Sequence, residues 1–183
     1  MSDVKTGDWL MVAMLGFVWG GTFLVMEIAL RGITPYWLAA ARIGFAAAVT
    51  GLIWAFRGFP LFLETGPRPW GSIILASALT SAIPFILLSW GLQYVTSGFA
   101  GVSMSAVSLL VLPLAHFLVR GEQMNARKTL GFLLGFAGVV VLIGAQAFDS
   151  SGASLETMGR LACLTAASCY AVSSIIIRRL PPI

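Results

Sequence analysis

Three ionisable side chains, Glu27, Arg42 and His116, lie inside long apolar runs of the sequence. A charge at the centre of a bilayer costs about 2.5–3.5 kcal/mol on insertion scales, so such residues have partners or serve a function. Glu27 lies near the end of the first run and Arg42 near the start of the second. At 1.5 Å per residue, they lie roughly 5 and 9 Å below the same membrane face. This similar depth suits an ion pair or a shared polar patch in the outer half of a cavity.

Each of these groups also has an alternative interpretation. Glu27 either pairs with Arg31, one helical turn later and in the favourable order, or faces a pathway and binds a proton or a cationic group. Arg42 lies too deep for its head to reach the interface, which favours an interior role as a substrate contact or a structural pair. His116, near the end of the fourth run, is either an interfacial packing residue or a proton relay, since histidines in general titrate near neutral pH.

A proline, Pro84, interrupts the third apolar run near its middle. Proline removes a helical hydrogen bond and frees the carbonyl four residues earlier, here that of Thr80. The hydroxyls of Thr80 and Ser81 can satisfy the loosened backbone. Broken helices near the bilayer midplane hold substrate sites in many transporters. The alternative is a static kink that only improves packing.

Large aromatic and amide side chains also lie at membrane depth. Trp19 is near the centre of the first run, and Trp90 and Gln93 are in the outer half of the third. A mid-membrane tryptophan beside small residues either walls a pocket, where it stacks on an apolar group, or fills a packing gap.

The composition fixes the environment of these residues. Of 183 residues, 58% are apolar and 10% are charged, with a mean hydropathy of +0.94. A soluble domain carries roughly 25% charged residues, so this chain has too few charged residues to form a water-exposed surface. Six runs are long enough to cross a bilayer as helices: 9–30, 36–56, 70–94, 98–119, 128–147 and 160–178. The sequence therefore predicts an all-α, polytopic transmembrane helix bundle with about six spans.

The positive charges predict an orientation, because lysines and arginines stay on the cytoplasmic side of a membrane. With the N-terminus inside, eight of the eleven are cytoplasmic, two are outside and Arg42 lies within a span. The eight are Lys5, Arg57, Arg68, Arg120, Arg127, Lys128, Arg178 and Arg179. We therefore expect both ends of this chain to lie in the cytoplasm.

Other chemistries fit the sequence poorly. Cys163 and Cys169 match no redox or zinc spacing and are interpreted as packing residues. The Gly-x-Ser-x-Gly turn of a serine hydrolase is absent, and one continuous helix holds Ser105 and His116 about 16 Å apart along its axis. We expect no enzyme activity, cofactor, metal ion or nucleic-acid partner.

Two glycine pairs, Gly16 with Gly20 and Gly131 with Gly135, have the Gly-x-x-x-Gly spacing that predicts close helix contacts.

The sequence also contains a short and weak similarity between its first and last apolar runs, which we call the internal echo. At an offset of 151 residues, Trp19, Gly20 and Thr22 lie opposite Tyr170, Ala171 and Ser173. Because five spans precede the second copy, it is inverted in the membrane, and inverted repeats meeting at a midplane site form a transporter architecture.

Several short motifs follow one another in order along the chain. They are Trp19-Gly20-Gly21-Thr22-Phe23, Pro35 with Leu38-Ala39-Ala40-Ala41-Arg42, Ile83-Pro84-Phe85, Trp90-Gly91-Leu92-Gln93-Tyr94, Leu112-Pro113-Leu114 with Gly121-Glu122, and Gly131 with Gly135 to Gly138-Val139. In this order they resemble the drug/metabolite transporter superfamily, specifically its EamA-type members. The resemblance spans 9–147 and covers one full repeat of five helices, and 159–183 resembles the start of a second repeat.

The resemblance implies a ten-helix transporter of two inverted halves in a bacterial inner membrane. It would export amino acids, related metabolites or drug-like compounds by alternating access, often in exchange for protons. The resemblance also implies that the chain is truncated and that its missing C-terminal half is a required partner. Glu27 departs from the family pattern, so no family role carries over to it. The candidate cavity residues are Trp19, Arg42, Pro84, Trp90, Gln93, Tyr170 and Ser173, and Glu27 and His116 are candidates for proton or ion coupling.

Two other functions stay open. A small multidrug-type transporter that dimerises also uses a glutamate in its first helix, although the charge bias disfavours the antiparallel insertion that such dimers need. A membrane assembly or sensor subunit that transports nothing is the other alternative.

Overall fold

The computed structural model describes residues 6–58, 69–119, 121–148 and 154–180. The residues of these ranges form six helices and no strand, which confirms the predicted all-α bundle. We number the helices in chain order: α1 Thr6–Ala29, α2 Pro35–Phe56, α3 Trp70–Gly91, α4 Ser97–Leu118, α5 Ala126–Phe148 and α6 Glu156–Arg179. Lys5, Arg68 and Arg120 of the charge count, and the last three residues of the predicted second repeat, lie outside the described residues.

Five of these helices, α1, α2, α3, α4 and α6, are long and apolar enough to cross a membrane. The predicted run 128–147 is helical in α5, whose side chains after Val141 lie outside the described residues. The chain is therefore a multi-pass membrane protein.

Local sequence signals determine where several helices begin and end. Thr34 is extended and precedes Pro35, whose fixed φ suits the first turn of α2. Gly58, with a φ of 77°, follows α2 in the left-handed conformation that commonly terminates helices. Asn125 caps α5, since its Oδ1 accepts a hydrogen bond from the Lys128 amide at 2.9 Å.

Helix α6 is the most buried of the five candidate spans, and it packs against α3 and α4. Small side chains cover its buried face: Ala162, Cys163, Ala166, Ala167 and Ala171. They let the three helices approach closely, the usual basis of helix association in lipid. Cys163 is fully buried, which confirms the packing role predicted for it. Cys169 is half-buried.

Helices α3 and α6 approach each other closely at two glycines. A Cβ built on Gly91 would lie 2.9 Å from the Gly159 carbonyl oxygen, and one built on Gly159 would lie 3.1 Å from the Gly91 carbonyl oxygen. The two backbones therefore touch at a point where neither residue can carry a side chain. We name this contact the Gly91–Gly159 crossing.

The Gly-x-x-x-Gly prediction is wrong for three of its four glycines within the described chain. Nothing lies within 4 Å of a Cβ built on Gly16, Gly20 or Gly131, whereas one on Gly135 would lie 3.2 Å from Leu109 Cδ2. The physical reason is that these three glycines face away from the neighbouring helices, which the spacing alone does not reveal.

Helices α3, α4 and α6 form the centre of the bundle, and the other three helices pack around them. Helix α1 packs against α4, α2 packs against α3, and α5 packs against α4. Most side chains of α1 are exposed, including the large apolar ones. The first two helices therefore border a groove instead of forming a closed core.

Candidate functional site

Helix α3 is interrupted before Pro84 by a π-helical segment, Ala78–Ala82. The Ile83 amide donates to the Ala78 carbonyl five residues earlier, and Pro84 then has no amide hydrogen to donate. Single π-turns inside helices occur often at functional sites. The structure thus contains an irregular helix where the sequence predicts one, and Pro84 itself is fully buried.

Hydroxyl groups support this irregular segment. The Thr80 hydroxyl donates to the Ala76 carbonyl at 2.7 Å, and the Ser81 hydroxyl donates to the Ser77 carbonyl at 2.8 Å. Both bonds run back one turn within α3, a pattern that often accompanies bent helices. These hydroxyls thus bond carbonyls in the turn before Thr80, and not the Thr80 carbonyl that the sequence predicts Pro84 to free.

Arg42 of α2 contacts two other helices at this break. Its Nη1 lies 2.7 Å from the Met26 sulfur of α1, and its Cζ lies 4.2 Å from the centre of the Phe85 ring, directly after Pro84. The Tyr170 phenol of α6 is near enough to interact electrostatically with the guanidinium. Arg42 thus lies where elements of α1, α2, α3 and α6 meet.

The partners of Arg42 are soft and neutral. A thioether is a weak acceptor, and a cation over an aromatic ring gains about 0.5–2 kcal/mol. Within the described residues, Arg42 forms no ion pair with a carboxylate: the Glu156–Arg160 and Glu122–Arg178 pairs involve other arginines. Its positive charge therefore keeps most of its capacity to attract an anionic group.

A groove of about 390 Å³ opens beside Arg42 between α1 and α2. Apart from Arg42 and Thr22 its lining is apolar, and the lining residues are Phe17, Val18, Gly21, Thr22, Val25, Met26, Ala29, Leu38 and Arg42. Its volume is within the range of about 300–1,000 Å³ that small-molecule pockets occupy. We call it the Arg42 groove.

Of the seven predicted cavity residues, only Arg42 lines the Arg42 groove. Arg42, Pro84 and Tyr170 lie around the break in α3, and the buried Ser173 hydroxyl donates to the Tyr170 carbonyl at 2.9 Å. Trp19 is 74% exposed and does not line the Arg42 groove.

The other two members of the predicted set lie toward the end of α3. Trp90 is half-buried and packs on Tyr94, with 4.9 Å between the ring centres, and Gln93 is exposed. Neither lines the Arg42 groove. The α1–α2 face and the end of α3 are thus separate surfaces in this chain.

Glu27 turns toward the start of α4. Its Oε2 accepts a hydrogen bond from the Ser97 amide at 3.2 Å, while the Thr96 hydroxyl accepts one from the Phe99 amide at 3.2 Å. Arg31 is near enough for a weak electrostatic interaction. A carboxylate at a helix N-terminus is favourable because the free amides and the helix dipole attract it. Sequence reasoning missed this partner because Ser97 lies 70 residues away along the chain.

We expect Glu27→Ala to lower the stability of the chain by about 1 kcal/mol, because the Ser97 amide loses its acceptor. Glu27→Gln keeps an acceptor oxygen and should lose less. Thermal unfolding of the purified variants in detergent measures both effects. Equal stability of Glu27→Ala and the wild type would contradict the capping role.

His116 contacts the link between α4 and α5. Its Nδ1 accepts a hydrogen bond from the Met124 amide at 3.1 Å, and its ring meets Phe117 edge-on at 4.8 Å between centres. When Nδ1 accepts, the proton of the neutral ring is on Nε2, which is then a donor. The ring therefore holds the end of the α4–α5 link in place, just before α5 begins at Ala126.

Comparison with known proteins gives a consistent set of matches. Residues 6–144 match the EamA-like transporter family. A chloroplastic WAT1-related protein of Arabidopsis thaliana is 28% identical over 172 residues, which cover 93% of this chain and 40% of that protein. The uncharacterized transporter YoaV of Bacillus subtilis is 25% identical over 158 residues, covering 86% of this chain and 52% of that protein.

An uncharacterized transporter of Archaeoglobus fulgidus is 31% identical over 146 residues, which cover 78% of this chain and 48% of that protein. The chain thus spans about half the length of the curated relatives it matches. No solved structure matches it.

Proposed function

Because the chain belongs to the EamA-like transporter family, we propose that it forms the first half and the opening helix of a ten-helix secondary transporter. This transporter exports small metabolites or drug-like compounds from the cytoplasm by alternating access. One observation carries the proposal: Arg42 lies at membrane depth beside an open groove and has no carboxylate partner in the described part of the chain.

The chemistry of the groove favours a particular kind of substrate. Arg42 supplies one cationic contact, and the surrounding walls supply an apolar surface. An amino acid or a related metabolite with a carboxylate and an apolar body satisfies both. Rocking of the two halves around this site would expose it to each side of the membrane in turn. Glu27 and His116 are the candidates to couple proton movement to this motion.

The unequal burial of α1 and α6 supports the two-half architecture. The internal echo makes α1 the counterpart of α6, yet α6 is packed between α3 and α4 while α1 is largely exposed. In an inverted repeat, α1 would pack in the second half as α6 packs in the first. The exposed face of α1, including Trp19, would then be covered by the helices that follow residue 183.

The DNA sequence after the Ile183 codon tests this architecture. We expect roughly another hundred codons with four more apolar spans, each of about 20 residues. A stop codon directly after Ile183 would contradict the ten-helix arrangement. It would favour a dimerising small transporter, which the exposed α1 face also suits.

Metabolite release tests the transport activity. Bacterial cells expressing the complete reading frame should accumulate specific compounds in the medium, measured by mass spectrometry against cells carrying an empty vector. If export is driven by protons, a protonophore should abolish the difference. An unchanged medium from cells in which the protein is abundant would favour the non-transporting assembly or sensor subunit.

A further inference from the structure

A second cavity, of about 780 Å³, opens at the opposite end of the bundle from the Glu27 cap. It lies where α4 and α6 both end, and its polar lining comes from His116, Gln123, Arg178 and Arg179. None of these residues lines the Arg42 groove. The two cavities are therefore separate sites.

This cavity carries a net positive charge. Arg178 forms an ion pair with Glu122 of the α4–α5 link, which compensates one of the two guanidinium groups. Arg179 is exposed and has no carboxylate partner among the described residues. One positive charge in the cavity thus stays uncompensated.

The other polar groups of the cavity include hydrogen-bond donors. His116 Nδ1 is occupied by the Met124 amide, which makes Nε2 the donor of the neutral ring. Gln123 has a side-chain amide with two more donor hydrogens. Guanidinium, imidazole and amide donors around one cavity suit a ligand that carries several acceptor oxygens.

We propose that this cavity binds a phosphate group with a net negative charge, supplied by an anionic phospholipid headgroup or by a free phosphate. Guanidinium groups bind phosphate oxygens through two parallel hydrogen bonds. Basic pockets between membrane-spanning helices bind anionic lipid headgroups. The exposed ring of Phe117 and the side chain of Leu118 border the same cavity and offer an apolar surface for acyl chains.

Lipid retention measured by native mass spectrometry tests the first source. The purified chain is incubated with phosphatidylglycerol or with phosphatidylcholine of the same acyl chains. We expect preferential retention of phosphatidylglycerol, and a loss of about fivefold in Arg179→Gln, the factor for one cation removed near an anionic headgroup. Arg57→Gln, which removes the same charge at the end of α2, should retain the lipid like the wild type.

Thermal unfolding tests the second source. Inorganic phosphate should raise the midpoint of the wild type above that in chloride at equal ionic strength, and Arg179→Gln should lose this rise while Arg57→Gln keeps it. A response to either probe that depends on Arg179 supports the site and identifies its source. Binding of neither probe, or an equal loss in Arg57→Gln, would overturn the proposal. Circular dichroism confirms that both variants keep their helices.

Discussion

Gly91→Ala is expected to destabilise the chain by about 1–3 kcal/mol, the usual cost of overpacking a close contact. The new Cβ would lie 2.9 Å from the Gly159 carbonyl oxygen and 3.1 Å from Cys163 Sγ. A backbone oxygen cannot move aside as the end of a flexible side chain can, so α3 and α6 must separate. Association of helices in lipid depends on close packing, and separation at this crossing therefore weakens the centre of the bundle.

Gly138→Ala is the matched control for this substitution. Gly138 lies in α5, and nothing lies within 4 Å of a Cβ built on it. Alanine there should be neutral or stabilising by up to about 1 kcal/mol, since it is the better helix former. Unfolding midpoints of both variants in the same detergent give the comparison. Equal midpoints for Gly91→Ala and Gly138→Ala would show that the crossing contributes nothing to stability.

The helices of this fold could be predicted from the sequence because lipid requires long apolar segments with internally satisfied backbones. The break at Pro84 was predictable for the same reason, since proline removes a hydrogen bond that no water replaces. The Gly91–Gly159 crossing could not be predicted. Its glycines belong to different helices 68 residues apart, so their contact depends on how α3 and α6 cross.

The candidate site was predictable only in part. The depth of Arg42 is enough to infer that its side chain points into the bundle. It is not enough to infer that the guanidinium contacts Met26 and Phe85. Sequence reasoning looks for a carboxylate, and Glu27 is at a similar depth. Glu27 instead accepts a hydrogen bond from the Ser97 amide, because the first amides of a helix have no partner within the helix. This amide is within reach only because α1 packs against α4.

Met26 and Glu27 are neighbours in α1 that point to different partners. Met26 is buried and contacts Arg42, whereas Glu27 contacts the start of α4. Successive residues on a helix point about 100° apart, so one turn of α1 serves both the Arg42 groove and the cap of α4. Because separate side chains make the two contacts, each can be removed without the other.

Arg42→Ala in the complete reading frame is expected to lower export by at least about tenfold, since a charge-assisted hydrogen bond contributes about 1.5–3 kcal/mol. The groove would keep its apolar walls and lose its one cationic contact. Export is measured as the initial rate of release of the compound identified in the medium. Immunoblots of the membrane fraction should show unchanged abundance, because the partners of Arg42 are neutral groups that are not left as uncompensated charges.

Two further variants separate substrate contact from structural support. Arg42→Lys keeps the charge but loses the planar fork that holds a carboxylate through two bonds, so export should fall less than in Arg42→Ala. Met26→Leu keeps the volume and removes only the sulfur contact, so export should stay close to that of the wild type. If Met26→Leu instead reduces export as much as Arg42→Ala, the sulfur contact is required, and Arg42 acts by joining α1 to α2. Normal export from Arg42→Ala would remove it from the substrate site altogether.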